Sequence, residues 1–306
     1  MVVMTARNPI VTIITPTHNG EQYIAETIRS VLAQDFHDFE YLIVDDASTD
    51  GTERVVREFV KADSRIRYYR IGKNTGQPAG PRNLAVRRAT GKYIALLDHD
   101  DIWLPGKLSL QIPFLEKNPD VGVVHGNAWN ITAGPDGPRT ACWKRPPQRE
   151  REWVYRKLLH GCCVIACTAV ARAECIRRAG LFAEDPGVRF LPDDWLLWIK
   201  IARSNRFGYI DEFIALYRVH PERLTGSRRM MAESDYYLFD RYGREMGLSA
   251  LSRRLYLSER KYRVAKAIYF DEGRFPGKEL GEAFRLNPLN LRIPGFLARI
   301  GFRMKK

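Results

Sequence analysis

The chain lacks any apolar run of the roughly 18 residues that a membrane-spanning helix requires, and Met1 to Asn8 lacks the apolar core of a secretory leader. A spanning or exported protein is therefore not expected, and the sequence reads as cytoplasmic. Cysteine is scarce: five in 306 residues, an odd number, do not describe a disulfide framework. Three of them fall in Cys162-Cys163-Val164-Ile165-Ala166-Cys167. That run is apolar and strand-like, and alternation would send Cys162 and Cys163 to opposite faces, so buried core thiols are expected rather than a metal site. Acidic residues are outnumbered, 36 against 49 Lys and Arg, giving a formal charge of +13. The excess favours anionic partners such as nucleotides, nucleic acid or acidic headgroups without choosing among them.

What is present is a soluble, globular composition, 45% hydrophobic and 28% charged, long enough for one large α/β domain and an appendage. Ile10 to Thr15 is a β-branched run stopped by Pro16 and followed by His18-Asn19-Gly20. Ile24, Ile28, Val31 and Leu32 recur at helical spacing, and Phe39 to Val44 forms a second strand ending in Asp45-Asp46. A capped turn, Ala47 to Thr52, leads to a helix through Val55, Val56, Phe59 and Val60. Ile66 to Ile71 is a third strand, and a glycine-rich loop from Gly72 to Pro81 precedes a helix from Arg82 to Ala89. This alternation predicts an α/β fold with a largely parallel central sheet flanked by helices, with ligands beyond the carboxyl ends of the strands.

The fourth strand carries the strongest chemical signal. Ile94-Ala95-Leu96-Leu97 stops abruptly at Asp98-His99-Asp100-Asp101, and carboxylates two apart on extended backbone project to one side. Such a pair suits a hard divalent cation shared with substrate phosphates. The same cluster also reads as a turn, with Asp101 as N-cap of a helix beginning at Ile102-Trp103-Leu104. Farther on, Val121 to His125 is a short strand, Thr132 to Arg151 a mobile loop, and Trp195 to Ala202 a helix entered from Pro192-Asp193-Asp194. Beyond about Thr225 the chain turns helical and basic, which divides it into 1–225 and 226–306.

Taken together, these segments resemble the family 2 glycosyltransferases, whose catalytic domain has the Rossmann-like GT-A fold. The matching stretches are Val11 to Asn19, Val44-Asp45-Asp46-Ala47-Ser48-Thr49-Asp50-Gly51-Thr52, Asn74-Thr75-Gly76 with Pro81-Arg82-Asn83, Gly91 to Asp101, Pro192-Asp193-Asp194-Trp195-Leu196-Leu197-Trp198, and Tyr217-Arg218-Val219-His220. The resemblance implies a catalytic domain over 1–225 and a helical C-terminal extension. It implies that Thr15, Pro16, Asp45 and Arg82 contact the nucleotide, with His18, Asp46, Asp98 and His99 beside it. A carboxylate can accept from the ring N–H of uracil, and a guanidinium matches phosphate geometry. It further implies Asp98, Asp100 and His220 as ligands of Mn²⁺ or Mg²⁺, Asp194 as the base that takes the acceptor's proton in an inverting transfer, and Asp193 and Trp195 beside the acceptor. His18 stands where Tyr is common, and Asp193 where many relatives carry Glu.

The expected activity is transfer of a sugar from a nucleotide donor, UDP being favoured, to a hydroxyl of a glycan or lipid-linked acceptor in cell-surface polysaccharide synthesis. A sugar-phosphate nucleotidyltransferase is the nearest enzymatic alternative, but the place of its basic glycine-rich loop holds Pro16-Thr17-His18-Asn19-Gly20. A nucleic-acid-binding protein is disfavoured by acidic residues at the strand ends, and a glycan-binding relative without activity by retention of Asp98, Asp100, Asp194 and His220. The basic C-terminal helices can lie on an anionic membrane surface or present an ordinary solvated face.

Overall fold

The computed structural model describes residues 8–303 except 133, 142–149, 187, 189, 222 and 224–226. The boundary expected at Thr225 and the middle of the loop expected from Thr132 to Arg151 lie outside the described residues. By its internal contacts the chain forms two compact units, Met1–Pro186 with Asp193–His220, and Gly187–Pro192 with Pro221–Lys306.

The first unit begins with β1 (Val11–Thr17), α1 (Ile24–Leu32), β2 (Phe39–Asp45), α2 (Thr52–Ala62), β3 (Ile66–Arg70), α3 (Ala79–Arg88) and β4 (Tyr93–Leu96). Every residue of β1, β2 and β4 is buried, which is why their apolar residues fall on both faces instead of alternating. They run parallel in the order β3-β2-β1-β4. Helix α3 enters its strand through Gly91, where a Cβ would lie 2.5 Å from the Thr12 backbone nitrogen, so only glycine permits this approach.

The sheet continues through β5 (Ile102–Trp103), α4 (Lys107–Lys117), β6 (Val121–Ile131), β7 (Arg139–Ala141), β8 (Arg151–Glu152), α5 (Tyr155–His160), β9 (Val170–Arg172), α6 (Ala173–Arg178), α7 (Asp193–Ile201) and β10 (Arg206–Arg218). Here the pairing is mixed. β9 lies antiparallel between β4 and β6, β6 and β10 are parallel, and β5 closes the edge antiparallel to β10. The parallel character expected of the sheet therefore holds for β3-β2-β1-β4 and for the β6–β10 pair, with antiparallel strands between them and at the edge. Ile13, Ile43, Tyr41, Tyr93, Ala95, Leu97 and Trp103 join one continuous core, each large apolar side chain contributing about 1.5–3 kcal/mol by burial.

Three local expectations change. Ile102-Trp103 is a strand, not the start of a helix, so Asp101 caps nothing: its Oδ1 accepts from the backbone N–H of Arg218 at 2.9 Å. The cysteine run is a loop leading into a single 3₁₀ turn, Ala166–Thr168, with Cys167 buried but Cys162 and Cys163 only partly so. The segment expected to be a mobile loop contributes β7 and the first residue of β8 to the sheet.

The second unit contains α8 (Arg228–Tyr242), α9 (Ala250–Glu272), α10 (Gly277–Leu286) and α11 (Arg292–Arg303). Ser227 and Ser249 cap α8 and α9 by accepting from the backbone N–H groups of Met230 and Ser252. Its core joins Ala265, Leu280, Ala283, Ile293 and Phe296, with Tyr262 and Tyr269 edge-on to Phe296. Among the described residues no helix is long and apolar enough to cross a membrane.

Candidate active site

The site is built where strands part. β1 pairs with β4 only as far as Ile14 opposite Leu96, yet stays with β2 to Thr17 opposite Asp45. A crevice therefore opens beyond Leu97, at the point where the strand order reverses direction around β1.

On the β2 side, Asp45 is fully buried, accepting at Oδ1 from the Ser48 N–H at 2.7 Å and at Oδ2 from Tyr68 Oη at 2.5 Å and Arg70 Nη1 at 3.0 Å. Ala47 turns the chain with φ 58°, a left-handed conformation unfavourable for alanine and characteristic of loops fixed for function. Asp46 accepts from the Thr75 backbone N–H at 2.9 Å and from its hydroxyl at 2.8 Å. Thr15 and Pro16 are buried, with Thr15 Oγ1 2.9 Å from Tyr41 Oη. The half-buried ring of His18 is fixed at both nitrogens. Its Nδ1 lies 2.8 Å from the Asp46 carbonyl, which can only accept, so Nδ1 bears the donated proton and Nε2 accepts from Asn74 Nδ2 at 2.9 Å.

On the β4 side, Arg82 of α3 lies between two carboxylates. Its Nη2 donates to Asp98 Oδ1 at 2.7 Å, and its Nη1 reaches both oxygens of Asp193 at 3.0 Å. Asp100 Oδ2 lies 2.9 Å from His220 Nε2. The loop holding these groups is braced by Arg218, whose Nε donates to the Asp100 carbonyl at 2.9 Å and whose Nη2 donates to Glu26 at 2.6 Å. Thr27 Oγ1 sits 2.8 Å from the His99 carbonyl, and the His99 ring occupies space that a side chain at Gly20 would take.

Crowded carboxylates titrate abnormally. Burial pushes Asp194 up to about 6, reinforced by the charge of Asp193 and offset by Arg82 and by the backbone N–H of Trp195. Burial likewise raises Asp193 despite Arg82, and raises Asp101 well above the usual carboxylate range, with Asp100 and Asp98 adding to it. Burial also opposes ionisation of Asp100, but the hydrogen bond with His220 and the charges of His99 and His220 outweigh it, and its pKa is lowered. Asp194 itself keeps part of its surface open to solvent.

The donor set fits a divalent ion in part. Asp100 and His220 offer an oxygen and a nitrogen 2.9 Å apart. Two adjacent donors around an octahedral ion at about 2.1 Å are separated by about 3 Å. Asp98, expected as the third ligand, is engaged by Arg82, and among the described residues no three His, Cys, Asp or Glu side chains converge as a ready-made site. Trp195, expected beside the acceptor, is buried, with its indole N–H donated to the Leu158 carbonyl at 2.8 Å. Sequence reasoning gave no role to Tyr68, Arg70 or Arg218. Only Arg218 had a visible signal, its place two residues before His220.

The profile of Glycosyl transferase family 2 matches residues 12–176. The chain is 27% identical over 237 residues to TuaG of Bacillus subtilis, a glycosyltransferase whose name ties it to teichuronic acid biosynthesis, covering 77% of this chain and 89% of that one. It is 35% identical over 202 residues to WfgD of Escherichia coli, a UDP-Glc:alpha-D-GlcNAc-diphosphoundecaprenol beta-1,3-glucosyltransferase, covering 66% and 73%. Some longer relatives are matched over 30% to 33% of their own length. In fold, the crystal structure of S. aureus TarS 1-349 in complex with UDP-GlcNAc superposes with a TM-score of 0.66 at 21% identity, covering 90% of this chain and 81% of that one. Motif order, GT-A architecture and sequence similarity converge over the parted strands and their carboxylates, and the chain belongs to the family 2 glycosyltransferases.

Proposed function

We propose that this glycosyltransferase moves a sugar from a UDP-sugar to a hydroxyl of a saccharide or lipid-linked acceptor, with inversion at the sugar carbon. Residues 1–225 act as the catalytic domain and 226–306 as its helical extension. The observation that carries the reading is the pair at the start of α7. Asp193 is locked to Arg82, whereas Asp194, with its pKa near 6, remains partly exposed and ionised at neutral pH. A carboxylate so placed can take the proton from an attacking hydroxyl while the nucleoside diphosphate leaves from the opposite face of the sugar.

The nucleotide pocket is assigned to Thr15, Pro16, His18, Asp45 and Asp46. Asp45 Oδ1 accepts one hydrogen bond from Ser48, leaving a lone pair for a ring N–H of uracil. His18, oriented by Asp46 and Asn74, offers a ring face to the base. Arg82, now paired with Asp98, would donate to the diphosphate, with His99 lining that edge. Asp100 and His220, with Asp98, would hold Mn²⁺ or Mg²⁺, which when bound supplies positive charge to the departing diphosphate. A relative named for UDP-Glc and a diphosphoundecaprenol acceptor, and a fold neighbour holding UDP-GlcNAc, support the UDP and lipid-linked readings. The reaction is placed in the cytoplasm, beside the membrane that carries such an acceptor.

Calorimetric titration of UDP, GDP and UDP-sugars with and without Mn²⁺ tests this directly. Metal-enhanced UDP binding with slow UDP release from one UDP-sugar is expected. Tighter binding of GDP than UDP would overturn the donor assignment.

A further inference from the structure

In the helical unit, the turn from α10 to α11 reads Leu286-Asn287-Pro288-Leu289-Asn290-Leu291-Arg292, and it presents Leu289 at 82% and Leu291 at 84% exposure. Single exposed leucines are ordinary. These two are held outward by a fixed scaffold. Asn287 Oδ1 accepts from the Leu289 N–H at 3.1 Å, and the side chain of buried Asn290 donates to Ser258 Oγ at 3.0 Å while accepting from the Arg292 N–H at 3.2 Å. Ser258 in turn donates to the Ala283 carbonyl at 2.7 Å, and Arg254 covers the last carbonyls of α10, reaching Leu286 O at 2.6 Å and Arg285 O at 2.9 Å. Phe284 of α10 and Leu297 of α11 are exposed as well.

From Phe284 to Lys306 the sequence carries charge of one sign. Residues 284–306 contain Arg285, Arg292, Arg299, Arg303, Lys305 and Lys306 and no Asp or Glu. Glu259 of α9 pairs with Arg292, while Arg285 of α10 and Arg299 of α11 are exposed. An ordered apolar turn with an exposed arginine on each flanking helix matches the interface of an anionic bilayer, where leucines enter the acyl boundary and guanidinium groups meet lipid phosphates. The turn is already ordered, so little conformational entropy is lost on contact.

We propose that the α10–α11 turn is a docking surface for an anionic membrane, with Leu289 and Leu291 as its inserted residues. The inference does not depend on which sugar is transferred. The test is sedimentation of the full chain with vesicles of phosphatidylcholine alone and of an equal mixture with phosphatidylglycerol, comparing wild type, Leu289→Ser/Leu291→Ser and Arg285→Gln/Arg299→Gln. Partition onto the mixed vesicles is expected, falling about tenfold in the leucine variant and falling in the arginine variant and with added salt, while thermal unfolding and UDP release in solution stay unchanged. Equal partition of wild type and leucine variant, or none by either, overturns the proposal. A concentration-dependent dimer that the leucine variant dissociates, without vesicle binding, would instead assign the surface to a second copy of the chain.

Discussion

Arg82 Nη1 lies 3.0 Å from both carboxylate oxygens of Asp193, and both side chains are buried. Residues 111 positions apart in sequence thus share one charge pair. Removing one member of such a pair leaves the other uncompensated in a desolvated place. Arg82→Leu should lower unfolding free energy by about 3–5 kcal/mol in urea titrations, and Arg82→Leu/Asp193→Leu should recover a large part of it. No recovery in the double variant would mean that the pair contributes mainly through Asp98 or the surrounding packing.

Asp194 should behave as a base. Asp194→Asn is expected to leave UDP affinity unchanged while transfer falls about 10²–10⁴-fold. Because the working form is the carboxylate, kcat/KM should rise with pH and level off, with its midpoint near the value of about 6 set by burial and Asp193. A profile flat through that region, or loss of UDP binding in the variant, would remove Asp194 from this role.

The carboxylates of the Asp98 loop should separate by function. Asp100→Ala and His220→Ala are expected to abolish the enhancement of UDP binding by Mn²⁺ with little effect on metal-free binding. Asp98→Ala should also release Arg82 from one of its two partners. Unaltered metal enhancement in the Asp100 variant, measured calorimetrically, would rule out the Asp100–His220 pair as the ion's seat.

Lys107 supplies a test of the core. It is fully buried, donates to Gln111 Oε1 at 2.7 Å and lies 4.1 Å over the Trp103 ring, and burial lowers its pKa from 10.5 to about 7. Between these values the unfolded chain binds the proton that the folded chain has lost, so stability should rise with pH across that interval and the penalty should be complete below it. Lys107→Met removes this slope. Urea unfolding at pH 6, 7.5 and 9 would show it, and parallel pH dependence in wild type and variant would contradict the assignment.

The strands that frame the site were legible because burial on both faces requires long apolar runs, and each such run ended in chemistry: Thr15-Pro16, Asp45-Asp46, Asp98. β10 was not, because register shifts between Tyr209 and Phe213 and between Phe213 and Ala215 break the two-residue alternation that marks a strand. Asp101 carried the local signature of a helix cap, yet its partner is the Arg218 N–H, 117 positions away. Local pattern cannot report such a bond. The same holds for Arg82: its helix was readable, whereas its two partners come from distant segments.

Pro16 gives the parting of β1 and β4 a mechanical meaning. Along β1 the carbonyls of Ile10 and Ile14 accept from Tyr93 and Leu97 on the β4 side, and Thr17 accepts from Asp46 on the β2 side. Even-numbered positions therefore face β4, and the next rung after Ile14 would need a donor from residue 16. Proline has none. The ladder stops there like a zip fitted with a bar: the two strands cannot pair past Ile14, and a substrate seated between them would have no backbone pairing to break.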